Sequence, residues 1–241
     1  AAEQGDADAQ RKIGHIHCKG LGVPQDHAKG MEWYLKAAEQ GDAPAQCNIA
    51  ILYSKGDGVA KDRKHAATWY RKAAEQGYAP AQRSLGNIYR YGDGGMSLDY
   101  TMAMQWYLKA SGQGNAQAYA DIGTLHYCGL GVPKDYTAAM EWYLRAAERG
   151  TTAQLKLGYM YESGEGTAQD YSSAYRWYCK SAEEGDGSAS NNVGMLYHQG
   201  LGVRRDLRKA MDWYKKAVEQ GNLAARTNIN AALKDMFSPV S

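Results

Sequence analysis

Phenylalanine is almost missing from this chain: Phe237 is the only one in 241 residues, against 19 Tyr and 6 Trp. So lopsided a usage follows from copying one unit, each copy carrying its own Trp-Tyr pair. No run of 18 apolar residues occurs, which excludes a membrane-spanning helix in this stretch. A net charge of +2 is too small to argue for nucleic acid. Cysteine is scarce, and Cys18, Cys47, Cys128 and Cys179 have no recurring spacing. That is not how a disulfide framework is laid out. No Asn-x-Ser/Thr sequon occurs either, and the two absences together lean towards a reducing, cytoplasm-like compartment. No signal peptide is visible. The opening Ala1-Ala2-Glu3-Gln4-Gly5 matches Ala37 to Gly41, so the chain is expected to begin inside a longer array.

What is there is periodic. Trp-Tyr pairs stand at 33/34, 69/70, 106/107, 142/143, 177/178 and 213/214, at steps of 36, 37, 36, 35 and 36 residues. Eight residues after each Trp comes a Gly, at 41, 77, 114, 150, 185 and 221. Self-similarity at such a period marks a solenoid whose units bury surface only against their neighbours. The expected organisation is a tail of a preceding repeat (1–5), six repeats (7–41, 43–77, 79–114, 116–150, 151–185, 187–221) and a C-terminal capping helix with its tail (222–241).

Each unit reads as two helices. In the second copy Ala45, Ile49, Ala50, Leu52 and Tyr53 have helical spacing, and Gly56-Asp57-Gly58 then forms a turn that needs positive φ. Asp62 is placed to N-cap the second helix, which runs through Trp69 and Tyr70 to Gly77. The Asp recurs seven residues before every Trp, at 26, 62, 99, 135, 170 and 206. The one-residue insertion falls in the turn between Gly92 and Asp99, and the one-residue deletion after Gly150. A small residue stands inside each first helix, at Gly14, Ala50, Gly86, Gly123, Gly158 and Gly194. A mid-helix Gly costs roughly 1 kcal/mol relative to Ala, so its recurrence predicts close helix approach there. The Trp is expected to fill the space between the helices of one unit and the next, and Ser238 to Ser241 to fray.

The third unit carries these positions together: Ala81-Gln82, Leu85-Gly86, Tyr89, Gly92-x-Gly94, Asp99, Ala103, Trp106-Tyr107 and Lys109-Ala110. This pattern resembles the Sel-1-like repeat, a relative of the tetratricopeptide repeat, over essentially the whole chain. The resemblance implies an all-α, right-handed α-solenoid of antiparallel helix pairs, with the first helices lining the concave face. It also implies a non-enzymatic scaffold or adaptor that binds a peptide or protein partner. A secreted, cysteine-rich branch of the family, linked to penicillin binding, supplies the alternative of a small-molecule binder or hydrolase. Its Cys pair falls at Ala38 and Gln46 here, and Cys47 misses by one.

With the apolar positions inward, the other face of each first helix is left for a ligand. Its candidate residues are Arg11 and His15, then Asn48, Ile51 and Lys55, then Arg83, Asn87, Arg90 and Tyr91. Thr124 and Tyr127 follow, then Tyr159, then Asn191 and Met195. The first half is basic (Arg11, Lys12, Lys19, Lys55, Arg83, Arg90 against Asp8), which would favour an acidic partner. Tetratricopeptide relatives clamp a carboxylate with a basic residue and an Asn. Arg83 with Asn87, and Arg11 and His15 with Asn48, are partial matches, although Asp121 would repel a carboxylate. His15, His17 and Cys18 fall short of a metal set, and His17 and His126 stand in the slot held elsewhere by Tyr53, Tyr89, Tyr161 and Tyr197. No nucleophilic set recurs, so neither an enzyme, a cofactor nor a nucleic acid is expected. Self-association stays open.

Overall fold

The computed structural model describes residues 2–149 and 153–237. Gly150 as a closing glycine, the deletion placed after it and the expected fraying of 238–241 lie outside the described residues. Among the described residues the chain is all helical: a short 3-10 helix (Ala2–Gln4), then thirteen α-helices and no strand. The helices come as pairs: α1 (Ala7–Lys19) with α2 (His27–Glu39), α3 (Ala43–Lys55) with α4 (Arg63–Glu75), and α5 (Ala79–Tyr91) with α6 (Tyr100–Gly112). Next come α7 (Ala116–Cys128) and α8 (Tyr136–Ala147), α9 (Ala153–Ser163) and α10 (Tyr171–Glu183), α11 (Gly187–Gln199) and α12 (Leu207–Glu219). A last helix, α13 (Ala225–Phe237), packs on α12.

Two compact units form. The first runs through Leu125 and takes in Gly129–Pro133, and the second comprises His126–Cys128 and the chain from Lys134 onward. In the first, α1 packs on α2, α3 on α4 and α5 on α6, while α2 meets α3 and α4 meets α5. In the second, α9 packs on α10 and α11 on α12, and the same sequential contacts join α8 to α9 and α10 to α11.

Local chemistry sets the helix boundaries. Asp26, Asp62, Asp99, Asp135, Asp170 and Asp206 each N-cap a second helix, the carboxylate accepting from backbone N–H groups at the second or third helical position. Asp6, Asp42 and Asp186 do the same for α1, α3 and α11, a signal that sequence reasoning passed over. At α5 the cap position is Tyr78, which makes no such bond. The second glycine of each Gly-x-Gly turn does more than turn the chain. A β-carbon on Gly58, Gly94, Gly131, Gly166 or Gly202 would stand 2.4–2.8 Å from the start of the preceding repeat's second helix. At Gly22, in the first of the six repeats, a β-carbon would meet nothing within 4 Å.

The core sharpens one expectation. Every Trp of the six pairs is half-buried, whereas Tyr34, Tyr107, Tyr143, Tyr178 and Tyr214 are at most 3% exposed. The tyrosine ring is the one fully enclosed between the paired helices, on the small residue of the first helix, while Trp69, Trp106 and Trp213 pack as partly buried rings against clusters shared by their own first helix and the preceding repeat. A β-carbon on Gly14, Gly86, Gly158 or Gly194 would come within 2.3–2.7 Å of the tyrosine ring carbons. Ala50 holds that slot in the second repeat, and its partner Tyr70 is only half-buried. The outer face of each Trp is covered by a cation three residues on, such as Lys36 at 4.2 Å from the Trp33 centroid and Lys109 at 4.1 Å from that of Trp106.

A glutamine relay joins successive repeats. The amide of Gln76 donates to buried Gln46, whose own amide donates to the carbonyl of Ala38 in the repeat before. Gln113, Gln82 and Ala74 repeat the arrangement. His17 and His126 are half-buried, as are the tyrosines that hold their slot elsewhere.

Candidate binding site

The first-helix residues that vary between repeats divide into those turned to the core tyrosines and those left facing outward. Each buried tyrosine carries a hydroxyl that needs a partner. Tyr107 donates to Oδ1 of Asn87 at 2.6 Å, Tyr178 donates to Glu162, and Tyr214 pairs with Nδ1 of His198 at 3.2 Å. Tyr34 and Cys18 share one buried cluster. Burial pushes the tyrosines up: Tyr214 to about 12, and Tyr34, Tyr107 and Tyr178 higher still. Part of the variation that reads in the sequence as ligand choice is therefore fitted to the scaffold's own hydroxyls.

The basic half is largely spent on itself. Nε of Arg83 lies 2.6 Å from Asp121, and Arg90 reaches the same carboxylate at 3.6 Å. Asp121 thus does not repel from beside these arginines: it binds them. Burial raises its carboxyl above the usual range although both guanidinium groups pull the other way. Asn87 is held by Tyr107, so both members of that clamp are engaged. Arg11 pairs with Asp8 and lies 3.3 Å from Asp42, and Lys12 reaches Asp8. Lys19 and Lys55 form no ion pair within 4 Å among the described residues.

The remaining candidates form two groups, one in each unit. In the first, Arg11, Lys12, His15, Ile16 and Asn48 border a hollow of about 410 Å³. Beside it a second hollow of about 250 Å³ takes in His15, Asn48, Ile51 and Lys55. Tyr91 stands 66% exposed, stacked under Arg90 at 5.1 Å. In the second unit Tyr127 and Tyr159 border a hollow of about 390 Å³ with Lys156, Glu162, Ser163 and Glu165. Asn191 accepts from Asn228, and Met195 packs into the cluster around Tyr214. Both serve the contact with α13 and α12. Thr124 donates to the carbonyl of Ala120.

The four cysteines are free thiols, Cys18 and Cys47 buried and Cys128 exposed. Among the described residues no group of three His, Cys, Asp or Glu side chains is placed to hold a metal.

Helix pairs capped by Asp, closed by Gly and stacked through Gly-x-Gly turns define a repeat protein of the helical-solenoid class. The chain belongs to the Sel1 repeat family, whose model matches residues 7–42, 43–78, 79–115, 116–151, 151–186 and 187–222. It is similar to a protective antigen of uropathogenic Escherichia coli that displays the SLR fold, at 39% identity and a TM-score of 0.87. That match covers 98% of this chain and 50% of the antigen, so the chain spans about half the antigen's length. A Sel1 repeat protein from Oxalobacter formigenes is 40% identical, with a TM-score of 0.82, over 89% of this chain and 86% of its own. The immunity protein Pa5087 of Pseudomonas aeruginosa, at 23% identity and a TM-score of 0.56 over 89% of this chain and 81% of its own, shares the fold. No curated protein sequence matches the chain. Sel1 repeat proteins are generally protein-interaction scaffolds.

Proposed function

We propose that this chain is a non-enzymatic interaction scaffold that takes a protein or peptide partner on the outward faces of its first helices. The observation carrying this reading is that hollows in both units are bordered by first-helix side chains that differ from repeat to repeat: His15, Asn48 and Ile51 in one, Tyr127 and Tyr159 in the other. The repeated caps, closing glycines and core tyrosines hold the frame constant, so these positions are where selectivity can be written. Exposed Tyr91 and Tyr159 add the rigid aromatic anchors that dominate protein interfaces. The sequence expectation of an acidic partner loses support from the pairing of Arg11, Arg83 and Arg90 with Asp8, Asp42 and Asp121.

The test is photo-crosslinking in a lysate of the source cell. A photoreactive amino acid is placed at Ile51, Tyr91 or Tyr159 and, as controls, at the exposed second-helix positions Glu32, Thr68 and Glu141. Adducts of one defined protein from the first-helix positions support the reading. Adducts from the second-helix positions alone, or the same protein from both sets equally, overturn it.

A further inference from the structure

The hollow between Tyr127 and Glu165 has the chemistry of a cation receptor. Two carboxylates border it, Glu162 on α9 and Glu165 in the turn that follows, and neither forms an ion pair within 4 Å among the described residues. Each is fixed by neutral donors: Tyr127 Oη donates to Glu165 at 2.6 Å, where the hydroxyls of Tyr136 and Ser163 also favour the carboxylate, and Tyr178 Oη donates to Glu162. Hydroxyl donors carry no charge, so they do not neutralise a carboxylate as the ion pairs of Asp8 and Asp121 do in the first unit. The rings are fixed as well. Tyr159 stands edge-on to Tyr178 at 5.6 Å and remains 39% exposed, and Tyr127 stands edge-on to Tyr136 at 5.1 Å. The chain already places a cation 4–5 Å over each of its Trp rings, so open Tyr faces beside anionic oxygens have a precedent within the same fold.

We infer that this hollow, bordered by Tyr127, Tyr159, Glu162 and Glu165, receives an arginine side chain of the protein partner. A guanidinium matches it on three counts. It is planar and can stack on a tyrosine face, it donates in a fork to carboxylate oxygens, and it is weakly hydrated and so loses little on entering a half-closed site. A volume of about 390 Å³ admits the group with part of its stem. The hydroxyl of Tyr127 holds the Glu165 carboxyl below its usual range, with the Tyr136 and Ser163 hydroxyls and Lys134 adding to the effect. Two lysines oppose an incoming cation: Lys134, which lies 4.5 Å over Tyr136, and Lys156 on the rim. Lys156 is the side chain whose removal should open the site.

This inference rests on the first-helix reading and names the chemistry of its partner, and the experiment keeps the two apart. N-acetyl-arginine methylamide is titrated into ¹⁵N-labelled protein, with the citrulline analogue as the neutral control of equal shape. Shifts at Tyr127, Tyr159, Glu162 and Glu165 with arginine and not with citrulline are expected. Glu162→Gln with Glu165→Gln should weaken binding about five-fold or more, and Lys156→Ala should tighten it about two-fold, the scale of half-exposed charge pairs. Equal shifts with citrulline, shifts centred elsewhere, or no effect of the double Gln variant would overturn it. Crosslinking from Ile51 and Tyr91 in the same preparations reports on the scaffold reading independently. A partner captured there without any arginine response leaves the scaffold standing and removes the receptor.

Discussion

Tyr107 and Gly86 are fitted to each other: a β-carbon on Gly86 would stand 2.5 Å from Cε1 of Tyr107, closer than such atoms ever pack. The pair explains why a residue that weakens a helix recurs at its middle. Ala50 supplies the internal comparison, because the one repeat with a β-carbon in that slot is the one whose tyrosine, Tyr70, loses full burial.

The first prediction uses that fit. Gly86→Ala gains helix propensity worth about 1 kcal/mol, yet overpacking a filled core costs about 1–3 kcal/mol. The variant is expected to be less stable on balance. Gly112 is also helical, at the end of α6, but has open space where a β-carbon would go. Gly112→Ala should therefore hold or raise stability. Urea denaturation of both variants checks the pair, and a stabilised Gly86→Ala would show that Tyr107 can move aside at no cost.

Truncation separates the two aromatics of the Trp-Tyr pair. Tyr107→Ala should cost about 3–5 kcal/mol, the range for large buried aromatics, and leaves Asn87 without its donor. Trp106→Ala removes a half-buried ring and should cost clearly less. Equal losses in thermal or urea melts would mean that the indole's packing between repeats counts for as much as the buried tyrosine.

That division of roles shows where legibility ends. Helix pairs, the Asp caps at 26 to 206 and the turn glycines could be read because each depends on residues within a few positions of one another. Which of two adjacent aromatics faces inward depends on helix phase against a partner about twenty residues away, and composition favours neither. The same holds for the face offered to ligands. Arg83 and Arg90 look like free cations until Asp121 is brought to them from the next repeat, 38 and 31 positions on. Glu162 looks like an unremarkable surface acid until Tyr178 is found beneath it. The scaffold is written in local signals repeated six times, whereas the candidate site depends on contacts between helices, within a repeat and from one repeat to the next.

Acid should loosen the caps. The hydroxyl of Ser173, with its backbone N–H, holds the Asp170 carboxyl below its usual range. A folded value below the unfolded one means the contribution is present above the ordinary aspartate pKa of about 3.9 and is lost as pH falls through the folded value. Asn caps a helix about as well as Asp. Asp170→Asn should accordingly match the parent near neutral pH or fall slightly below it, and the gap should close or reverse as pH drops below that point. Melting curves at pH 6 and pH 3 test this, and a gap that widens in acid would contradict the assigned cause.

Asp121 carries the opposite sign, and with it the question of what the first unit's cations are for. Burial raises its carboxyl, while the bond from Arg83 and the charge of Arg90 lower it. Two guanidinium groups within 4 Å would ordinarily win, but the carboxylate is far less exposed than Arg83, and desolvation prevails. Its contribution is therefore complete below about pH 3.9 and is lost as pH rises through the raised folded value. Carboxyl NMR should find Asp121 titrating above the ordinary aspartate value, and higher again in Arg83→Ala. A midpoint below that value in the parent would mean that the arginines outweigh burial. The pairing also predicts binding: with Asp121 in place, a hexaglutamate peptide should bind the first unit poorly, and Asp121→Asn should strengthen it by releasing Arg83 and Arg90. If the parent already binds the peptide as tightly as the variant, the arginines are available despite their partner, and the acidic ligand first suggested by the sequence regains its site.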